Sequence, residues 1–456
     1  MISVPVQCLL VLLVPPVCPT AIQEKVEAPA PAPWRWTDQE REPFRPWHTD
    51  ADLQRRLYDE ALAEMQAIVG VPLPERIDVV IVPVYAFAFV SMESGAKDGS
   101  LLHDLCVSRA LEWLCLEPAG DRGRTIGSDW RGDPESAVSY AGGMYVARHV
   151  RRMIVLNADR TEAQVAHALR HELVHAMQDE LFPFSEFFNF EGITIDERWA
   201  RQALEEGYAT LVTPAADGTA EPVGASSGEP ADPRNTSFQL VDFFYGAGSE
   251  AVRAVAEGGA SRRELLQLAF GRPAPTTREV LHPELYERFL ETSEAPDLPA
   301  PEALVGMVTA LVGAHVGHDQ PPSWVTRLGE FGLSSILVAM GETPAEAARL
   351  ASSWRNDTIV NFGEERHPVA TASVWVLSDA AAATELVNSM RRLAGAHGAA
   401  GWQDVTLQVG DVQLTAQSTS LEGDLPDVLL LRQDAVVGYV AGQDLDGVIA
   451  ALRAEQ

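Results

Sequence analysis

Lysine is nearly missing from this chain. Lys25 and Lys97 are its only two among 456 residues, and lysine plus arginine total 34 against 65 acidic residues. The formal net charge is −31 at pH 7. Most of the surface therefore repels a phosphate backbone, which argues against nucleic acid as a partner. Cysteine is almost as scarce. Cys8, Cys18, Cys106 and Cys115 have the spacing of neither a disulfide scaffold nor a four-cysteine zinc site. If residues 105–116 form one helix, Cys106 and Cys115 stand about 13 Å apart along it, beyond disulfide reach. Long hydrophobic runs are missing too. The apolar segment Cys8–Val17 is too short, and too broken by Pro15 and Pro16, to span a bilayer. No internal repeat recurs at a solenoid period. What the chain does have is apolar material, 46% of its residues, enough for sizeable cores and incompatible with disorder throughout.

Local patterns divide the chain. Residues 1–21 read as a secretory signal segment, with small residues after the apolar run and Ala21 as a cleavage edge. Export to a periplasmic or extracellular space follows, with Cys18 offering lipid anchoring as an alternative and no stable membrane insertion. Residues 22–47 form a proline-rich linker around Trp34 and Trp36. Leu53, Leu57, Ala61, Met65 and Ile68 recur at helical spacing, and a buried strand starts at Asp78. Residues 144–157 predict one or two strands, 161–180 a helix, and 195–212 a second helix. Residues 213–237 are loop by composition, and further helices run to about Phe289. A Pro/Glu-rich stretch near 294–302 separates two domains, 48–298 and 303–456. The second carries helices near 324–340, 343–353 and 378–393, with strands at 372–377, 405–409, 428–431 and 435–440. The pattern predicts an α+β protein.

The chemistry concentrates in the first long helix, at His171-Glu172-Leu173-Val174-His175. Four residues advance a helix by about 400°, so both imidazoles leave one face roughly 6 Å apart and can share a tetrahedral Zn²⁺. Glu172 stands about 100° to the side. From there a carboxylate can take a proton from a metal-activated water and return it to a leaving amine. Catalytic zinc needs a third protein ligand, and the second helix supplies acids at Asp196, Glu197, Glu205 and Glu206, with Glu191 just before it. Gly207 costs helix stability and suits a close approach of two helices.

HELVHAMQDELF followed by ALEEGYATLV resembles the gluzincin zinc metallopeptidases, and more narrowly a group of uncharacterised bacterial metallopeptidases with HELxHAxQD and EGxAT motifs. FFYGAGSEAV and PAPTTREVLHPELY are also similar to that group, so the resemblance covers about residues 50–290. It implies a zincin-like domain with a mainly helical C-terminal half, followed by a smaller mixed α/β module of unassigned role. It also implies peptide-bond hydrolysis with Glu172 as general base and Glu206, the acid before the glycine, as third zinc ligand. Thirty residues lie between His175 and Glu206, longer than in thermolysin, which keeps Glu197 as a rival. Asp179 and Thr210, each one turn past a ligand, are the expected partners for the histidines' second ring nitrogens. His167 is expected to pack rather than ligate. Tyr208, Tyr245, His282 and Tyr286 are candidate donors to a developing oxyanion, Tyr245 and His282 foremost. Peptide substrate is expected beside the strand 153–157, whose edge can pair with an extended chain. The competing reading is a non-catalytic binding or scaffold protein that retains the zincin fold.

Overall fold

A computed structural model describes residues 51–82, 142–147, 152–157, 162–188, 193–213, 236–299, 324–397 and 401–442, with short interruptions, and single positions between them. The expected signal segment and linker, residues 214–235, and Cys8, Cys18 and Cys106 lie outside the described residues. Cys115 is buried.

The first part contains α1 (Ala51–Val69), β1 (Asp78–Val82), β2 (Gly143–Val146), β3 (Met153–Asn157), α2 (Glu162–Leu181), α3 (Phe184–Phe188) and α4 (Ile195–Val212). It continues with α5 (Thr236–Asp242), a π-helical turn (Phe243–Ala247), α6 (Gly248–Glu257), α7 (Arg262–Gly271), α8 (Thr277–Leu281) and α9 (Pro283–Thr292). Then come β4 (Trp324–Thr326), α10 (Gly329–Ala339), α11 (Pro344–Ala351), β5 (Trp354–Glu364), β6 (His367–Leu377), α12 (Ala380–Ala396), β7 (Gln403–Val409), β8 (Val412–Thr419), β9 (Asp427–Gln433) and β10 (Val436–Gly442). Helix and strand are mixed, an α+β organisation. Among the described residues no helix is long and apolar enough to cross a membrane.

Three strands form a sheet in the order β1-β3-β2, with β2 and β3 packed against α2. β1 and β3 run parallel, whereas β2 returns antiparallel to β3. The expectation that 153–157 forms an edge is therefore corrected. Its Val- and Ile-rich residues are paired on both sides, and β1 and β2 are the outer strands among the described residues. The other sheet is wholly antiparallel, in the order β4-β5-β6-β10-β9-β8-β7. Alternation along its central strands sends Trp375 and Tyr439 toward the main core and Val374 and Val440 into a smaller one on the opposite face. Residues 324–340, expected to be one helix, are a strand and a helix. Trp-Val-Thr is β-prone, and it pairs with Ile359–Asn361 on β5 before the chain turns into α10.

The main core runs without a break from α1 to β10, joining Leu173 and Val174 of α2, Trp199 of α4, Phe243, Phe331 of α10, Trp354 and Trp375. Phe331 stacks on Phe243 with ring centroids 4.3 Å apart and meets Trp199 edge-on at 5.6 Å. Polar ties reinforce the joint at the start of α4. Asp196 accepts from Thr277 N at 2.7 Å and from Arg327 Nε at 2.8 Å, while Ile195 N donates to Thr326 Oγ1 at 3.1 Å. Asp357 accepts from Leu328 N, Gly329 N and Trp354 Nε1, each at 2.9 Å, and so holds the start of α10 against β5. Replacing it strands three buried donors. Asp357→Ala is expected to lower unfolding free energy by about 2 kcal/mol, measured by urea denaturation.

Candidate metal centre

Two helices deliver the site. α2 is buried along one long stretch, from His171 to Asp179. α4 starts at a capping box, in which Thr194 accepts from Glu197 N and Glu197 accepts from Thr194 N. That exchange satisfies two backbone donors at the helix start and fixes where its turns begin. It also occupies Glu197. One carboxylate oxygen lies 2.7 Å from Thr194 N, and the other is 3.8 Å from Arg327. Nine residues separate Glu197 from Glu206, about 13 Å of helix.

Glu206 meets both histidines. Its Oε2 lies 3.1 Å from His171 Nε2 and 3.3 Å from His175 Nε2. The imidazole centroids are 4.7 Å apart at an interplanar angle of 77°. One ligand atom from each of the three residues falls within 4.8 Å of the others, and all three side chains are buried. Two imidazole nitrogens and a carboxylate oxygen, turned toward one point in the interior, form a donor set that can hold a metal ion. His167, half-buried one turn earlier, is not in the cluster.

The electrostatics follow from carboxylates and imidazoles sharing a buried space. Burial disfavours charge on Glu206, but His175 and the hydrogen bonds from both imidazoles outweigh it and hold the carboxyl at about 2. His175 responds in kind. Burial works against its charge, and Glu206, Glu205 and Glu172 together outweigh burial and raise it to about 10. Burial dominates at His171, which is lowered. Glu205 is pushed up to about 8, chiefly by burial and further by the neighbouring acids Glu206, Glu172 and Asp179, against the opposite pull of His175.

Glu172 is fully buried, one residue from His171. β2 passes over it at Gly143, where a Cβ would stand 2.9 Å from Glu172 Cγ and 3.1 Å from Oε1. The glycine is what lets the strand lie that close. Tyr245 sits in the π-helical turn between α5 and α6, a widening that recurs at functional sites. Its ring lies 6.1 Å from that of His171, and its hydroxyl is buried without a hydrogen-bond partner of good geometry among the described residues. Burial, and then the charges of Glu206 and Glu172, push that hydroxyl's pKa well above its ordinary value.

Other expected positions are engaged elsewhere. His282 Nε2 is 2.8 Å from Glu330 Oε1, in a bridge between the start of α9 and α10. Tyr208 donates to Arg262 O at 2.8 Å and Tyr286 to Arg272 O at 3.0 Å. Two expectations are corrected. Thr210 is exposed, because it falls on the outer face of α4. Asp179 accepts from Tyr145 Oη at 2.7 Å and from Phe184 N at 2.8 Å, tying β2 and α3 to the end of α2 rather than orienting a histidine. The residue at His175 Nδ1 is Gln178, at 2.7 Å. Its spacing of three from the histidine is the sequence signal that points to it, since helical neighbours lie three or four apart.

No family model matches the chain, and neither a curated protein nor a solved structure matches it.

Proposed function

We propose that the protein is an exported zinc-dependent peptidase with a zincin-like catalytic region, in which His171, His175 and Glu206 hold the metal. The observation that carries this reading is the convergence of one ligand atom from each of His171, His175 and Glu206 within 4.8 Å, with a second buried acid, Glu172, one residue from the first histidine. Two imidazoles and a carboxylate suit zinc better than calcium or magnesium, which prefer oxygen ligands throughout, and cysteine-rich shells are the usual mark of structural zinc. A bound zinc ion supplies a Lewis acid that acidifies water and polarises a peptide carbonyl. Glu172 takes the proton from the attacking water and passes it to the departing amine. Tyr245 brings a buried hydroxyl beside Glu206, suited to donating toward the oxygen on which charge develops. Peptide is the substrate class that the resemblance of the two motifs to zinc metallopeptidases implies, and Glu172, once protonated, can serve the departing amine.

Metal analysis and peptide turnover test the reading together. The wild type is expected to bind one zinc and cleave members of a mixed peptide library. Glu206→Gln weakens zinc binding at least about a hundredfold, whereas Glu197→Gln leaves it unchanged. Equal zinc binding by the two variants overturns the ligand set, and a zinc-loaded wild type that cleaves no peptide overturns the activity.

A further inference from the structure

His175 reaches the centre through one nitrogen, and something must decide which. Its Nε2 faces Glu206, while its Nδ1 lies 2.7 Å from Gln178 Oε1 and 3.3 Å from Glu205 Oε1. Gln178 is itself buried, and its amide nitrogen donates to Glu205 O at 2.9 Å. A main-chain carbonyl can only accept, so that bond determines how the carboxamide is turned. The amide oxygen is thereby left facing the imidazole, and an amide oxygen also only accepts. Nδ1 must carry the proton that meets it. Nε2, the atom pointing at Glu206, is then the nitrogen that can exchange its proton for a metal.

We propose that Gln178 is the positioning residue of the metal centre: it holds His175 with its proton on Nδ1 and, through the carbonyl of Glu205, locks the two ligand-bearing helices at the spacing the metal requires. One side chain therefore orients a ligand on α2 and fixes the backbone immediately before the ligand on α4. Asp179, next in sequence, is committed to Tyr145 and Phe184 and cannot substitute. This role rests on the reading of His171, His175 and Glu206 as a zinc site, but it differs from any catalytic role because Gln178 acts only through His175 and Glu205.

The test uses the full chain with zinc alone as the probe. Gln178→Leu is expected to raise the zinc Kd by roughly 10- to 100-fold, measured by chelator competition, while far-ultraviolet circular dichroism stays that of the wild type. A folded Gln178→Leu protein that binds zinc as tightly as the wild type overturns the proposal. A wild type that binds no zinc overturns the metal-site reading beneath it, so the two failures are distinct. Nuclear magnetic resonance of the cadmium-113-loaded wild type needs no variant to fold. The metal coupling should appear on His175 Nε2, with a slowly exchanging proton on Nδ1, and coupling on Nδ1 overturns the proposal outright.

Discussion

Glu172→Gln is expected to keep its full zinc content and to hydrolyse peptides about 10²- to 10⁴-fold more slowly than the wild type, the range that loss of a general base produces. The substitution isolates basicity because the two side chains share a shape. Glu172 is fully buried on α2, and Gly143 leaves it no more room than its own carboxylate fills. An amide of the same size fits the same space but takes no proton from water. The proposed zinc ligands are other residues, so metal content should not change. The measurement pairs mass-spectrometric metal analysis with kcat and KM on a cleaved peptide. A variant with wild-type kcat would remove Glu172 from the mechanism, and loss of zinc would show that it supports the ligands instead.

Gly207→Ala is expected to lower unfolding free energy by more than about 3 kcal/mol, although alanine is the better helix former by about 1 kcal/mol. The reason lies in the crossing of α4 and α6. A Cβ at Gly207 would sit 2.2 Å from Gly248 C and 2.4 Å from Gly248 O, and one at Gly248 would sit 2.0 Å from Ala203 O. Every one of those obstacles is backbone, so no flexible side chain can swing aside. Relief requires moving the helices apart by roughly 1 Å or more to reach ordinary carbon contact distances. Glu206 precedes this glycine, and Tyr245 lies in the turn that leads into α6, so the displacement should also weaken zinc binding. Chemical denaturation and chelator competition on the same variant measure both effects. A Gly207→Ala protein more stable than the wild type would show that helix propensity, not the crossing, governs this position.

Much of this was legible without coordinates wherever the governing chemistry is local. The helices at 51–69, 162–181 and 195–212 lie within a residue or so of where periodicity and capping residues put them. A Thr three residues before a Glu is the sequence mark of a capping box, a mark that Thr194 and Glu197 carry and that the reading of Glu197 as a rival ligand passed over. The histidine pair was equally legible, because a four-residue helical interval leaves two side chains one direction to point. Strands without a short-range signature were harder. Residues 354–364 and 412–419 were not foreseen as strands because polar residues interrupt their apolar pattern, although each pairs with an adjacent strand in a hairpin, and 324–326 was absorbed into a helix because its partner on β5 lies more than thirty residues away.

By itself, then, the order of residues determined the acidic character, the helix carrying two imidazoles and a carboxylate, and the glycine that follows the candidate acids. Only the tertiary structure decided which acid meets the imidazoles and which amide orients one of them. Glu197 and Glu206 are alike as residue types, and Asp179 and Gln178 are adjacent polar residues near the end of one helix. What separates them is the angle and closeness at which α4 crosses α2 and α6. That crossing is set by packing, notably the contact between Gly207 and Gly248. Helical phase is written every few residues, whereas the distance between two helices depends on every side chain that lies between them.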